Sequence, residues 1–121
     1  MNTHLVVGIV LTVLYLSVGV GVLTTVRASR NGTLRRNTLV GVRTSATLSD
    51  DAAWRAGHHE ARRHYVLLIP VLVAGAIAVL VNAFAQGPFW GFAVIVGVSG
   101  VIDIVIAARS VSAANAAARR S

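Results

Sequence analysis

The sequence predicts an all-α membrane protein: three transmembrane helices around a basic cytoplasmic loop that contains a short amphipathic helix. Three observations predict it: a scarcity of charge, three long apolar runs, and arginines confined to the segments between and after them. Of the 121 residues, 55% are hydrophobic and 12% charged. Soluble domains carry about 25% charged residues. A chain this poor in charge cannot cover a water-facing surface, so lipid is the solvent its composition fits. The length reads as one membrane domain, residues 1–121.

The first span is residues 5–26, an uncharged run from Leu5 to Val26. As a helix it measures roughly 33 Å at about 1.5 Å per residue, enough for a hydrocarbon core of about 30 Å. A cleaved signal peptide is the competing reading. Met1–His4 holds neither Arg nor Lys, and the run is longer than a signal h-region, so the span is preferred. The second span is residues 65–85 and the third 89–108. Gln86, Gly87 and Pro88 between them form a tight outer turn, which makes the pair an antiparallel hairpin. Phe84, Phe89 and Trp90 flank the turn as an interfacial aromatic belt.

Orientation follows from the basic residues, all eleven of which are Arg. Eight lie in the loop at residues 27–64, three lie from Arg109 onward, and the hairpin turn has none. The positive-inside rule then puts the N-terminus outside, the C-terminus in the cytoplasm, and the protein in the bacterial cell membrane as a multi-pass chain. The formal net charge of +7 reads as attraction to anionic lipid rather than direct binding of nucleic acid.

Polar groups within spans are few. Asp103 lies about 9 Å inside the cytoplasmic end of its helix, and an ionisable group there is a functional candidate or a snorkelling structural one. Gly21, Thr24 and Pro70 count to the same level, where Pro70 is expected to loosen the second helix. Tyr15 and Asn82 read as interhelical hydrogen-bonding groups. The small-residue pairs Ser17/Gly21, Ala74/Ala78 and Ala93/Gly97 read as bundle packing, with homo-oligomerisation an extension of the same idea. The Ala-rich tail after Arg109 either extends the third helix or frays.

The loop is far longer than the about 2–8 residues that usually connect helices. Asn31-Gly32 signals a turn, and Asn37 to Leu48 reads as extended or irregular, with Gly41 as a break. Ser49 is a suitable N-cap, and Asp50 and Asp51 suit a helix N-terminus. Trp54, His58, Ala61 and Tyr65 then form one stripe, so the helix is amphipathic and is expected to lie on the membrane.

His58, His59, Glu60 and His64 resemble part of a metal site. However, Arg63 stands where His-Glu-x-x-His requires its second His. With no Cys, no phosphate loop and no nucleophile–base set, neither a metal, a cofactor nor an enzymatic activity is expected. A catalytic convergence of Arg43, His58 and Asp103 is conceivable, but no spacing demands it.

One ordered set remains: Asn37, Gly41-Val42-Arg43-Thr44, Thr47-Leu48, Asp50-Asp51, and Trp54 followed by His58. It resembles the signature of the SdpI family of bacterial membrane proteins. The resemblance implies an inner-membrane protein. The family's named member, a larger protein, gives immunity to a secreted membrane-attacking peptide toxin and holds a transcriptional repressor at the membrane. By that resemblance Asn37, Gly41, Arg43, Thr44, Thr47, Trp54 and His58 are candidate partner-binding residues, toward a peptide toxin or a cytoplasmic regulator. The structural reading of the same residues is loop folding, with Arg43 paired to Asp50 or lipid phosphate and Trp54 an interfacial anchor. A second functional class is a small oligomeric transporter or channel-like protein using Asp103 and Tyr15.

Overall fold

The computed structural model describes residues 2–31 and 43–120, and all regular structure among them is helical. Four helices follow in order: α1 (Thr3–Asn31), α2 (Asp51–Tyr65), α3 (Leu68–Phe84) and α4 (Phe89–Arg120). α1 and α4 are each long and apolar enough to cross a bilayer. α2 and α3 together pass the same test as one pair bent by 41°. The chain therefore has two to three candidate spans.

α1 opens on Asn2, whose side-chain oxygen accepts the Leu5 N–H at 2.9 Å and so satisfies one free donor of the first turn. It runs antiparallel to α3 at close range. An added Cβ on Gly8 would collide with Ala83, and one on Gly75 would stand 2.5 Å from the Tyr15 ring. These glycines let the two backbones approach where lipid offers no hydrophobic drive. Tyr15, Leu72, Ala76, Val79, Ala83 and Phe92 form the core of this bundle. The expected small-residue pairs are not part of it: Ser17, Gly21, Ala74, Ala93 and Gly97 are exposed and Ala78 is half-buried. Outward with them go large apolar side chains such as Val13, Leu14, Ile77, Val101 and Ile104. In water that surface would aggregate, and in a bilayer it is the lipid-facing one.

The α3–α4 hairpin closes through a Schellman arrangement. The Gly87 N–H donates to the Asn82 carbonyl at 2.9 Å and the Gln86 N–H to that of Ala83 at 3.3 Å. Gln86 takes the left-handed position, with φ 54°. Phe84, Phe89 and Trp90 stand exposed beside this turn. His4 from the start of α1 meets the Phe89 ring edge-on at 5.3 Å between centroids.

Two expectations about the second apolar run are corrected. It begins at Leu68 rather than Tyr65, after a break at Val66–Leu67. Pro70 is the reason: its ring would clash with the carbonyl four residues earlier, that of Val66. It does not loosen α3, because it sits in the first turn, where its missing N–H has no intrahelical partner anyway.

α4 has 32 residues, which is roughly 48 Å of helix and well beyond a core of about 30 Å. Its Ala-rich end does not fray: Ser110, Ala114, Ala117 and Ala118 are buried. α2 packs chiefly on this part of α4. Ala61, Tyr65 and Ala114 form a second core there, completed by Val22, Val26, Leu68 and Val111. The stripe expected to lie on the membrane is thus turned onto α4, and Trp54 and His58 are each 1% exposed. The helix also starts one residue late. Asp50 is the N-cap, accepting the Ala53 N–H at 2.7 Å, while the Ser49 hydroxyl donates to the Ala46 carbonyl.

Candidate functional site

The described motif residues, Arg43, Thr44, Thr47, Trp54 and His58, lie on α2 and the turn before it, where α2 meets the Arg-rich ends of α1 and α4. Asn37 and Gly41 lie outside the described residues. Arg43 to Leu48 leads into α2 as a tight turn. The Thr44 N–H donates to the Thr47 hydroxyl at 3.0 Å, and the Thr47 N–H to the Thr44 hydroxyl at 3.2 Å. The Leu48 N–H closes the turn on the Thr44 carbonyl at 2.9 Å. Threonines suit this work because a hydroxyl can both accept from and donate to nearby backbone.

The turn is fastened to both helices. The Thr44 hydroxyl donates to the side-chain oxygen of Asn115 on α4. Thr47 is fully buried, its methyl beneath Gly57, and Gly57 in turn lies against the Ala114 carbonyl. A third tie joins α1 to α2: the Ser29 and Tyr65 hydroxyls are hydrogen-bonded at 2.6 Å.

On the buried face of α2 the Trp54 and His58 rings are in contact, tilted by 37° with centroids 4.1 Å apart. Their spacing of four residues makes this contact. The His58 Nδ1 lies 2.9 Å from the Trp54 carbonyl. Burial pushes the His58 pKa below its ordinary 6.5, and the backbone hydrogen bond offsets only part of that. The fold therefore prefers neutral His58. Its stability is full above about pH 6.5 and falls as the pH drops, because the unfolded chain takes up the proton first. Melting of detergent-solubilised protein between about pH 7.5 and about pH 5 checks this. The melting temperature should fall with pH, and His58→Gln should flatten that fall.

Between α1 and α4, beside this assembly, lies a cleft of about 540 Å³. Val18, Gly21, Val22 and Thr25 of α1 form one wall, and Ala107, Ser110 and Val111 of α4 the other. Leu68 and Tyr65 line its base, and Arg43 and Thr44 its edge. Sequence reasoning missed Ser29, Gly57, Ser110 and Asn115. Gly57 within a helical pattern, and Asn115 as the one amide in an Ala tail, were the available signals.

The three intramembrane polar residues go to separate places. Asn82 belongs to the hairpin turn, its amide donating to the Pro88 carbonyl at 3.3 Å. The Tyr15 and Ser99 hydroxyls are hydrogen-bonded at 2.6 Å, linking α1 to α4. Asp103 lines a cavity of about 250 Å³ with Tyr15, Val18, Leu72 and Ser99. That level is deeper than the Gly21, Thr24 and Pro70 expected beside it. Thr24 bonds back to the Val20 carbonyl of its own helix. Among the described residues, no three metal-ligating side chains converge. Glu60 pairs with Arg63 on the surface of α2.

The sequence model of the SdpI/YfhL protein family matches residues 33–107, well over half of the chain. No curated protein and no solved structure matches. The matched segment begins before the Arg43 turn, runs through α2 and α3, and ends where α4 borders the cleft. This apolar chain, whose described regular structure is helical, is a membrane protein and belongs to the SdpI/YfhL protein family.

Proposed function

We propose that this SdpI-family chain protects a bacterium against, or senses, a membrane-active peptide, and that it does so without catalysis. Its partner-binding element is the Arg43 turn together with the cleft beside it. The carrying observation is that Arg43 and Thr44, two motif residues, edge a cleft of about 540 Å³ walled by apolar side chains of α1 and α4. Such a site matches an amphipathic partner, offering a guanidinium to carboxylate or phosphate and an apolar wall to hydrocarbon.

In the same reading α3 also crosses the membrane, as the second of three spans. Its 17 residues make roughly 25 Å, a mild mismatch that a bilayer accommodates by local thinning. The turn with exposed Phe84, Phe89 and Trp90 lies outside, with the N-terminus. α2 and the end of α4, with Arg55, Arg62, Arg63, Arg119 and Arg120, lie in the cytoplasm of the inner membrane.

A second reading has one observation in its favour. An Asp103 carboxylate oxygen is buried without a hydrogen-bond partner, on the wall of a cavity of about 250 Å³. Intramembrane acids of that kind serve ion movement, which for so few helices requires self-association. Gly97 and Gly100 have open space around them for a second copy.

One experiment tests both. A toxin-sensitive bacterium makes the protein and is challenged with a secreted membrane-active peptide. Wild type, Arg43→Ala, Arg55→Ala and Asp103→Asn are compared at matched membrane levels. Wild type and Arg55→Ala should survive, and Arg43→Ala should lose most of the protection, about tenfold or more in survivors. No survival with well-expressed wild type removes the immunity reading. Full protection by Asp103→Asn removes the second.

A further inference from the structure

The cleft beside Arg43 has a polar end and an apolar end, and their arrangement is specific. Thr25, Arg43, Thr44, Tyr65 and Ser110 gather at the end near α2. Val18 stands two helical turns away, about 10 Å along α1 from Thr25. Most of the hydroxyls at the polar end are already engaged. Thr25 donates to the Gly21 carbonyl, Ser110 to that of Ala107, and Tyr65 bonds Ser29. Among the described residues that line the cleft, Arg43 is the one with a formal charge. Val18 is 54% exposed, so the apolar end is continuous with the outward-facing surface of α1. The cleft therefore opens sideways, toward the acyl chains of the leaflet whose headgroups meet Arg43.

We propose that this cleft is a binding site for an anionic phospholipid of the cytoplasmic leaflet. The headgroup phosphate is held by Arg43 at the Thr44–Tyr65 end, and the first stretch of acyl chain lies along Val18, Val22, Leu68 and Val111. The guanidinium supplies the paired, charge-assisted donors that phosphate oxygens accept. The volume is within the about 300–1,000 Å³ typical of small-molecule sites. This deepens the preceding reading and rests on its placing α2 at the cytoplasmic interface, but it requires no peptide toxin. A resident lipid would join the Arg43 turn to α1 and α4, which makes the site a point where a membrane-active peptide could compete.

The test uses the full-length protein in nanodiscs of equal parts phosphatidylglycerol and phosphatidylcholine, released into detergent and read by native mass spectrometry. Wild type should retain phosphatidylglycerol in preference to phosphatidylcholine. Arg43→Gln should reduce that retention about tenfold or more. Gly21→Leu should reduce it comparably by filling the cleft; an added Cβ there meets nothing within 4 Å, so the fold accommodates it. Equal retention of the two lipids by wild type overturns the proposal. So does a preference that survives Arg43→Gln, which would mark diffuse attraction to the other arginines, or one that survives Gly21→Leu, which would place the lipid elsewhere. Matched helicity and protease resistance show that each variant is folded. Protection from a peptide is scored separately, so a failed lipid preference with protection intact sinks this inference alone.

Discussion

Trp54→Ala should undock α2 from α4 while leaving the apolar part of the bundle helical. Trp54 is 1% exposed and its ring contacts that of His58, with centroids 4.1 Å apart. Deleting a buried Trp costs about 3–5 kcal/mol, from lost burial plus the cavity left behind. Apart from His58 and Tyr65, α2 buries only small residues beside Trp54, namely Ala53, Gly57 and Ala61, and the end of α4 buries Ser110, Ala114, Ala117 and Ala118, so few large side chains are at hand to move into the void. The effect should therefore be local and large. Trypsin reads it directly, because Arg55, Arg62 and Arg63 lie on α2 and are cut only when the helix opens. At about 1.4 kcal/mol per tenfold, cleavage within α2 should rise by about two orders of magnitude or more, until opening is complete. Trp54→Phe should recover most of the protection. The open helix should also expose His58 to water and remove the pH dependence that its burial creates. Wild-type cleavage rates in Trp54→Ala would show that α2 is held by something other than this core.

How much of this was legible beforehand depends on the range of the interaction. Membrane residence followed from composition, because a chain solvated by lipid has little place for charge. The family resemblance lay in an ordered motif and needed no geometry. Local choices between two good candidates were not legible. Ser49 and Asp50 are both suitable caps; in the fold the Ser49 hydroxyl bonds the Ala46 carbonyl and Asp50 takes the cap. Pro70 was recognised as disruptive, but its effect falls on Val66, four residues earlier, so the break displaced the start of α3 instead of weakening its middle. The docking of α2 was hidden for a different reason. An Ala-rich tail carries no periodic apolar signal of its own, and only the facing Ala53-Gly57-Ala61 row gives it a partner. The pairs Ala74/Ala78 and Ala93/Gly97 misled because small residues are frequent in apolar spans. Spacing alone does not tell a packed face from a lipid-facing one. The cleft could not be read at all, since its lining is brought together from α1, the Arg43 turn, α2, α3 and α4, which are far apart in sequence.

Gly57→Leu should produce the same undocking by the opposite route, overfilling rather than emptying the interface. An added Cβ on Gly57 would stand 2.9 Å from the Thr47 methyl and 3.0 Å from the Ala114 carbonyl oxygen. Thr47 is fully buried and held by the Thr44 turn, and the carbonyl is part of the α4 backbone, so neither neighbour can step aside. Overpacking typically costs about 1–3 kcal/mol, and the upper end applies when the obstacle is backbone. Against it stands helix propensity, which favours Leu over Gly by under about 1 kcal/mol, so the clash decides the sign. Gly19→Leu is the matched control. Gly19 is also helical, but an added Cβ there meets nothing within 4 Å, so propensity acts alone and stability should hold or rise slightly. Tryptic cleavage at Arg55 should increase about tenfold or more for Gly57→Leu and stay at the wild-type rate for Gly19→Leu. Equal rates in the two variants would mean that α2 and α4 can separate by the width of a side chain at no cost. The Arg43 turn, fastened between them through Thr47 and Asn115, would then hold no fixed position at the cleft.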